Sequence, residues 1–166
     1  MTKSSVLITG ASTGIGAVYA ERFARRGHDL VLVARDKTKL DLLAERLRQE
    51  NAISVDVLPA DLTQSSDLAT VEARLRDDLR IGVLINNAGI AQSGSFVEQT
   101  PDSIERLIAL NVTALTRLAS AVTPPDSYKR VKDRSSTSAP SLVWPLNLPC
   151  RFMAQPKPLS FSCLRE

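Results

Sequence analysis

Gly10, Gly14 and Gly16 are the residues whose type and spacing most directly suggest chemistry. They punctuate Thr9-Gly10-Ala11-Ser12-Thr13-Gly14-Ile15-Gly16, which follows the apolar, β-rich run Ser5-Val6-Leu7-Ile8-Thr9 and leads into a helical stretch. Glycines in a strand-to-helix loop turn tightly and let backbone amides approach a phosphate at the helix N-terminus. Phosphate or pyrophosphate binding is the direct physical reading, and a plain turn is the alternative. Other chemistries have little support. Cys150, Cys163 and His28 are the only Cys and His residues, too few for a disulfide framework or a convincing metal centre. A net charge of +3 gives no dedicated surface for nucleic acid or membrane. No apolar run reaches the roughly 18 residues of a membrane span, and no secretory signal opens the chain, so a cytoplasmic location is expected.

The elements that must position this loop alternate between strand and helix. After the helix 17–26, Gly27 suits a helix end and Leu30-Val31-Leu32-Val33 reads as a buried strand. Residues 38–49 carry Leu40, Leu43 and Leu47 at helical spacing, and 53–58 form a third strand. A further helix opens at Asp61-Leu62-Thr63 and runs to Leu79, with Asp61 a candidate N-cap. Val83-Leu84-Ile85 is a fourth strand, Asn86-Asn87-Ala88-Gly89 a loop, and 102–122 one long helix. Strands apolar on both faces, alternating with helices, predict an α/β fold: a Rossmann-type doubly wound parallel sheet of order 3-2-1-4. His28, at a helix-to-strand turn, is expected to be a plain surface residue.

Composition changes abruptly near Pro124. Residues 1–123 hold all seven glycines and 14 basic against 15 acidic side chains; residues 124–166 hold no glycine, seven of the nine prolines and 7 basic against 3 acidic side chains. The expectation is an incomplete dinucleotide-binding domain over 1–123 and an irregular, disordered tail over 124–166. Leu142-Val143-Trp144 and Leu159-Ser160-Phe161 are weak candidates for pairing. With the fold stopping after its fourth strand and the following helix, Val83 to Ile85 would be a bare apolar edge prone to aggregation.

The glycine spacing resembles the T-G-x-x-x-G-I/L-G signature of the short-chain dehydrogenase/reductase family, and the resemblance runs from residue 4 to about 123. It implies that Gly10, Ser12, Thr13, Gly14, Ile15 and Gly16 hold the pyrophosphate, that Asp61 and Leu62 contact the adenine ring, and that Asn87, Ala88 and Gly89 lie beside the adenosine ribose. It further implies a supporting catalytic role for Asn111, as the helix Asn that organises a proton-relay water. In Val33-Ala34-Arg35-Asp36 the family's acidic ribose-binding position falls on Ala34, and Arg35 can grip a 2′-phosphate, so NADP is favoured over NAD. The implied activity is hydride transfer between a nicotinamide dinucleotide and a small alcohol or carbonyl substrate.

That activity needs a Tyr phenol with a Lys four residues later, because a phenol of pKa about 10 is a poor base until nearby positive charge stabilises the phenolate. The sequence Tyr128-Lys129-Arg130-Val131-Lys132 has the spacing but follows Asn111 by only 17 residues, with no room for the strand that carries the family's Ser. It reads as chance in a basic tail. A one-base slip near Pro124 or Pro125 gives a different account. Rebuilt codons over Phe152 to Pro158 permit Tyr-Gly-Ala-Thr-Lys-Ala, with the Gly forced by Met153-Ala154, and those over Ser136 to Ser141 permit Asn-Ile-Ser-Ser-Ile. The second Ser falls in the Pro140 slot and the Tyr in the Met153 slot, 13 positions apart as the family places them. The expectation is a truncated, frameshifted form that retains at most nucleotide binding and has lost the family's oligomer. A divergent but active C-terminal half and a non-enzymatic binding arm are the alternatives.

Overall fold

The computed structural model describes residues 3–92, 94–122, 151–154 and 161–164. Four parallel strands form its centre: β1 (Ser5–Thr9), β2 (Leu30–Ala34), β3 (Val55–Pro59) and β4 (Ile81–Asn86). Helices α1 (Gly14–Arg25), α2 (Lys37–Asn51) and α3 (Ser65–Asp77) connect them, and α4 (Pro101–Ile108) and α5 (Leu115–Val122) follow β4. Leu7 of β1 lies beside Val31 of β2 on one side and Leu84 of β4 on the other. The order β3-β2-β1-β4 is the one the alternation predicts. Between β1 and β4 the winding reverses, which opens a crevice at the carboxyl ends of the strands.

Every residue of β1 is buried because helices cover both faces of the sheet. Val6 and Ile8 pack with Phe23 of α1 and Leu40, Leu43 and Leu47 of α2. The intervening Leu7 faces the opposite way, onto Leu68, Val71 and Leu75 of α3 and Leu118 of α5. This alternation is why the strand reads as an unbroken apolar run. A charged clasp fixes the second layer: Glu72, almost fully buried on α3, accepts from Arg117 Nε and Nη2 of α5 at 2.6 and 2.9 Å. Those bonds hold the Glu72 carboxyl below its usual range despite its burial.

Four expectations are corrected. The helix after β3 starts at Ser65 with Gln64 as N-cap, so Asp61 does not cap it; Asp61 instead folds a turn in which its Oδ1 accepts from Thr63 N and Oγ1 at 3.0 and 2.7 Å. The single helix 102–122 is interrupted by a π segment, Ala109–Ala114, between α4 and α5. His28 is not a plain surface residue: its Nδ1 lies 2.8 Å from Ser4 O and its ring meets the edge of Phe23. The β4 edge is not bare, because β6 (Phe161–Leu164) pairs antiparallel with it and β5 (Arg151–Ala154) pairs with β6. An apolar edge with unpaired peptide groups gains backbone hydrogen bonds from any extended segment of its own chain. Of the weak pairing candidates, Phe161 falls in β6; Leu142 to Trp144 and the rest of the expected disordered tail lie outside the described residues. No helix among the described residues is long and apolar enough to cross a membrane.

Candidate functional site

A cleft of about 650 Å³ opens at the carboxyl ends of the parallel strands. Its first bank is backbone. Gly10 leaves β1 at φ +65°, and a Cβ there would meet Ala88 Cα and Asn87 Nδ2, both at 2.9 Å. At Gly16 a Cβ would fall on the Gly10 carbonyl oxygen, so the start of α1 seats against the loop only because residue 16 has no side chain. The N-terminus of α1 is left open. Its N-cap, Thr13, makes no side-chain capping bond, whereas Asp36 caps α2 by accepting from Lys39 N at 3.0 Å and Thr100 caps α4 by accepting from Ser103 N at 3.3 Å. A helix N-terminus without a side-chain cap and with no acidic residue in its first turn is suited to an anion.

Thr9 and Asn87 lock this bank together. Buried Thr9 Oγ1 accepts from the Asn87 and Ala88 N–H groups, each at 3.0 Å, and donates to Ile85 O at 3.3 Å. Asn87 Nδ2 donates in return to Thr9 O and Gly10 O, at 3.1 and 3.2 Å. The two loops that frame the cleft therefore satisfy each other's buried polar groups, which sets their separation. Asn111 supports the same bank from the π segment. Its Oδ1 accepts from Ile90 N at 2.9 Å and its Nδ2 donates to Ile90 O at 2.7 Å.

The facing bank is charged. Arg35 and Lys39, both exposed, stand at the end of β2 and in the first turn of α2; Asp61 and Thr63 follow β3; Arg106 and Leu110 approach from α4 and the π segment. Burial alone would raise the Asp61 carboxyl. The Thr63 N–H and hydroxyl, with the charges of Arg35 and Arg106, outweigh it and hold the group below the usual carboxylate range. Asp61 N–H in turn donates to Asp67 Oδ2 at 2.9 Å, which tethers the turn to α3.

Of the residues singled out from the sequence, Gly10, Ser12, Thr13, Arg35, Asp61, Leu62, Asn87, Ala88 and Gly89 line this one cleft. Gly14, Ile15, Gly16 and Asn111 do not: the glycines shape the loop, Ile15 is 64% exposed, and Asn111 reaches the cleft through Ile90. Sequence reasoning missed Lys39, Arg106 and Leu110. Lys39, four residues after Arg35 in the first turn of α2, was a usable signal for the first; Arg106 on α4 and Leu110 in the π segment are likewise four residues apart.

Residues 4–131 match the family profile described as short chain dehydrogenase. A short-chain dehydrogenase from Sphingobium yanoikuyae, solved in complex with NADPH, is 69% identical with a TM-score of 0.73, over 76% of this chain and 49% of that one. A bulky-bulky ketone specific alcohol dehydrogenase from Comamonas testosteroni is 60% identical with a TM-score of 0.75, over 78% of this chain and 52% of that one. Among curated relatives, the very-long-chain 3-oxoacyl-CoA reductase of Anas platyrhynchos is 32% identical over 122 residues, 71% of this chain and 39% of the relative. The chain thus spans about half the length of these solved structures and less of that curated relative.

Proposed function

The chain belongs to the short-chain dehydrogenase family, and from that premise we propose that it holds NADP(H) in the cleft between the glycine loop and Arg35. The carrying observation is convergence: an α1 N-terminus without a side-chain cap, a glycine loop that a Cβ would fill, and an arginine in no salt bridge among the described residues all open onto one cavity. The loop amides at 10–16 hold the pyrophosphate, Asp61 and Leu62 the adenine, and Asn87 to Gly89 the ribose. Arg35 holds the 2′-phosphate, for which a planar guanidinium is well matched. The structural neighbour solved with NADPH supports this choice over NAD.

When bound, the nicotinamide exchanges a hydride with an alcohol or carbonyl carbon. Asn111 acts here as a positioning residue, since Ile90 engages both polar atoms of its side chain. We further read residues 124–166 as out-of-frame translation, on the change of composition at Pro124 and the in-register codon reconstruction, so that the chain binds the dinucleotide without turning it over. A second reading, an active reductase, is favoured by one observation: the family match extends through Tyr128, and Lys132 stands four residues on.

Titration of the full chain with NADPH and NADH, followed by nucleotide fluorescence, tests the binding. NADPH binds more tightly, and Arg35→Ser weakens it about tenfold while changing NADH less than about twofold. Binding of neither nucleotide overturns the proposal. Turnover is tested by NADPH oxidation across aldehydes and ketones. Steady consumption that Tyr128→Phe abolishes selects the second reading, and sequencing the gene shows whether a single-base change restores the Tyr-Gly-Ala-Thr-Lys-Ala segment.

A further inference from the structure

Arg35, Lys39 and Arg106, the last exposed on α4 one turn before Leu110, all line the charged bank of the cleft. The three cations are not equally available. Lys39 is engaged, with its Nζ 3.2 Å from Asp36 Oδ2 and its N–H donating to Asp36 Oδ1. Arg106 has Asp102 four residues before it and Glu105 beside it, yet forms no ion pair with either; among the described residues neither Arg106 nor Arg35 is in a salt bridge. Both instead act through space on the Asp61 carboxylate, which lines the same cleft. A carboxylate at that position would repel an incoming phosphate. Two guanidinium groups more than neutralise it.

Resting on the reading of the cleft as an NADP(H) site, we propose that Arg106 is a specificity-determining residue, whose charge on the bank it shares with Arg35 selects the 2′-phosphorylated dinucleotide. The discrimination follows from charge number. A phosphate monoester adds about −1.5 to −2 near neutral pH, so a free cation on the cleft wall favours NADPH over NADH even without direct contact. Exposure and salt screen the effect to less than that of Arg35.

The test measures dissociation constants for NADPH and NADH with the full-length wild type, Arg106→Gln and Arg106→Lys, at low and high salt. In Arg106→Gln, NADPH weakens about threefold to fivefold and NADH by less than about 1.5-fold, and the gap narrows at high salt. Arg106→Lys retains most of the preference because it keeps the charge while losing the planar fork. Circular dichroism confirms that these exposed substitutions leave the fold intact. Equal weakening of both nucleotides by Arg106→Gln, no change in either, or a Lys variant that behaves like the Gln variant overturns the proposal. These outcomes leave the binding reading standing if the wild type still prefers NADPH. A wild type that binds neither nucleotide overturns the binding reading and this inference together.

Discussion

The two banks of the cleft are made of different materials. Between β1, α1 and β4 the wall is backbone, shaped by missing side chains at Gly10 and Gly16 and pinned by the Thr9–Asn87 bonds. After β2 and β3, and on α4, the wall is side-chain charge on half-buried or exposed residues. A backbone wall recognises what all dinucleotides share; a charged wall recognises how they differ. Substitutions on the first bank should therefore weaken NADPH and NADH together, and substitutions on the second should change their ratio. Gly16→Ala is the most severe break. A methyl group at residue 16 lands on the Gly10 carbonyl, backbone that cannot step aside, so the loop and α1 must separate. The expected cost is about 1–3 kcal/mol of stability, as for other overpacked sites, with loss of measurable binding of both nucleotides. Thermal melts and fluorescence titration check it, and a variant that kept NADH while losing NADPH would contradict the division between banks.

Asn87→Ala tests the same bank from the other loop. It removes the side-chain donor to the Thr9 and Gly10 carbonyls, for an expected loss of about 1–3 kcal/mol. Binding weakens for both nucleotides by a similar factor, because the separation of the two loops is no longer fixed. Chemical denaturation and paired titrations measure the two effects.

The backbone bank was also the more legible one. Glycine spacing, strand alternation and the Asn87-Ala88-Gly89 loop are local patterns, and each carries its physical reason within a few residues of chain. The bonds that make them a site join Thr9 to Asn87, 78 residues apart, and no local pattern announces such a pair. Asp61 shows the limit from the other side. An Asp before a helical run has the chemistry of an N-cap, but its own Asx turn with Thr63 takes the acceptor and moves the helix start to Ser65. Asn111 has an equally local ambiguity, since a mid-helix Asn is ordinarily solvated; burial against Ile90 in a π segment depends on which way α4 and α5 face. Arg106 was missed for that reason too. The strand β6 was hidden because its partner is the edge of a sheet assembled about 80 residues earlier.

The smallest expected effect comes from Asp61 and separates stability from selectivity. Its folded-state pKa lies below the ordinary 3.8, so the ionised form is the one the fold favours. That contribution is fully present above about pH 3.8 and disappears as pH falls through the lowered folded value, which leaves stability insensitive to this group between pH 5 and 8. Asp61→Asn should cost at most about 1 kcal/mol at neutral pH, because the group is partly solvated, and its melting temperature should converge on the wild type as both are acidified. The same substitution removes the cleft carboxylate on which Arg35 and Arg106 act. The NADPH to NADH preference then rises. A preference that stayed fixed in Asp61→Asn would mean that the charged bank selects by shape and not by net charge.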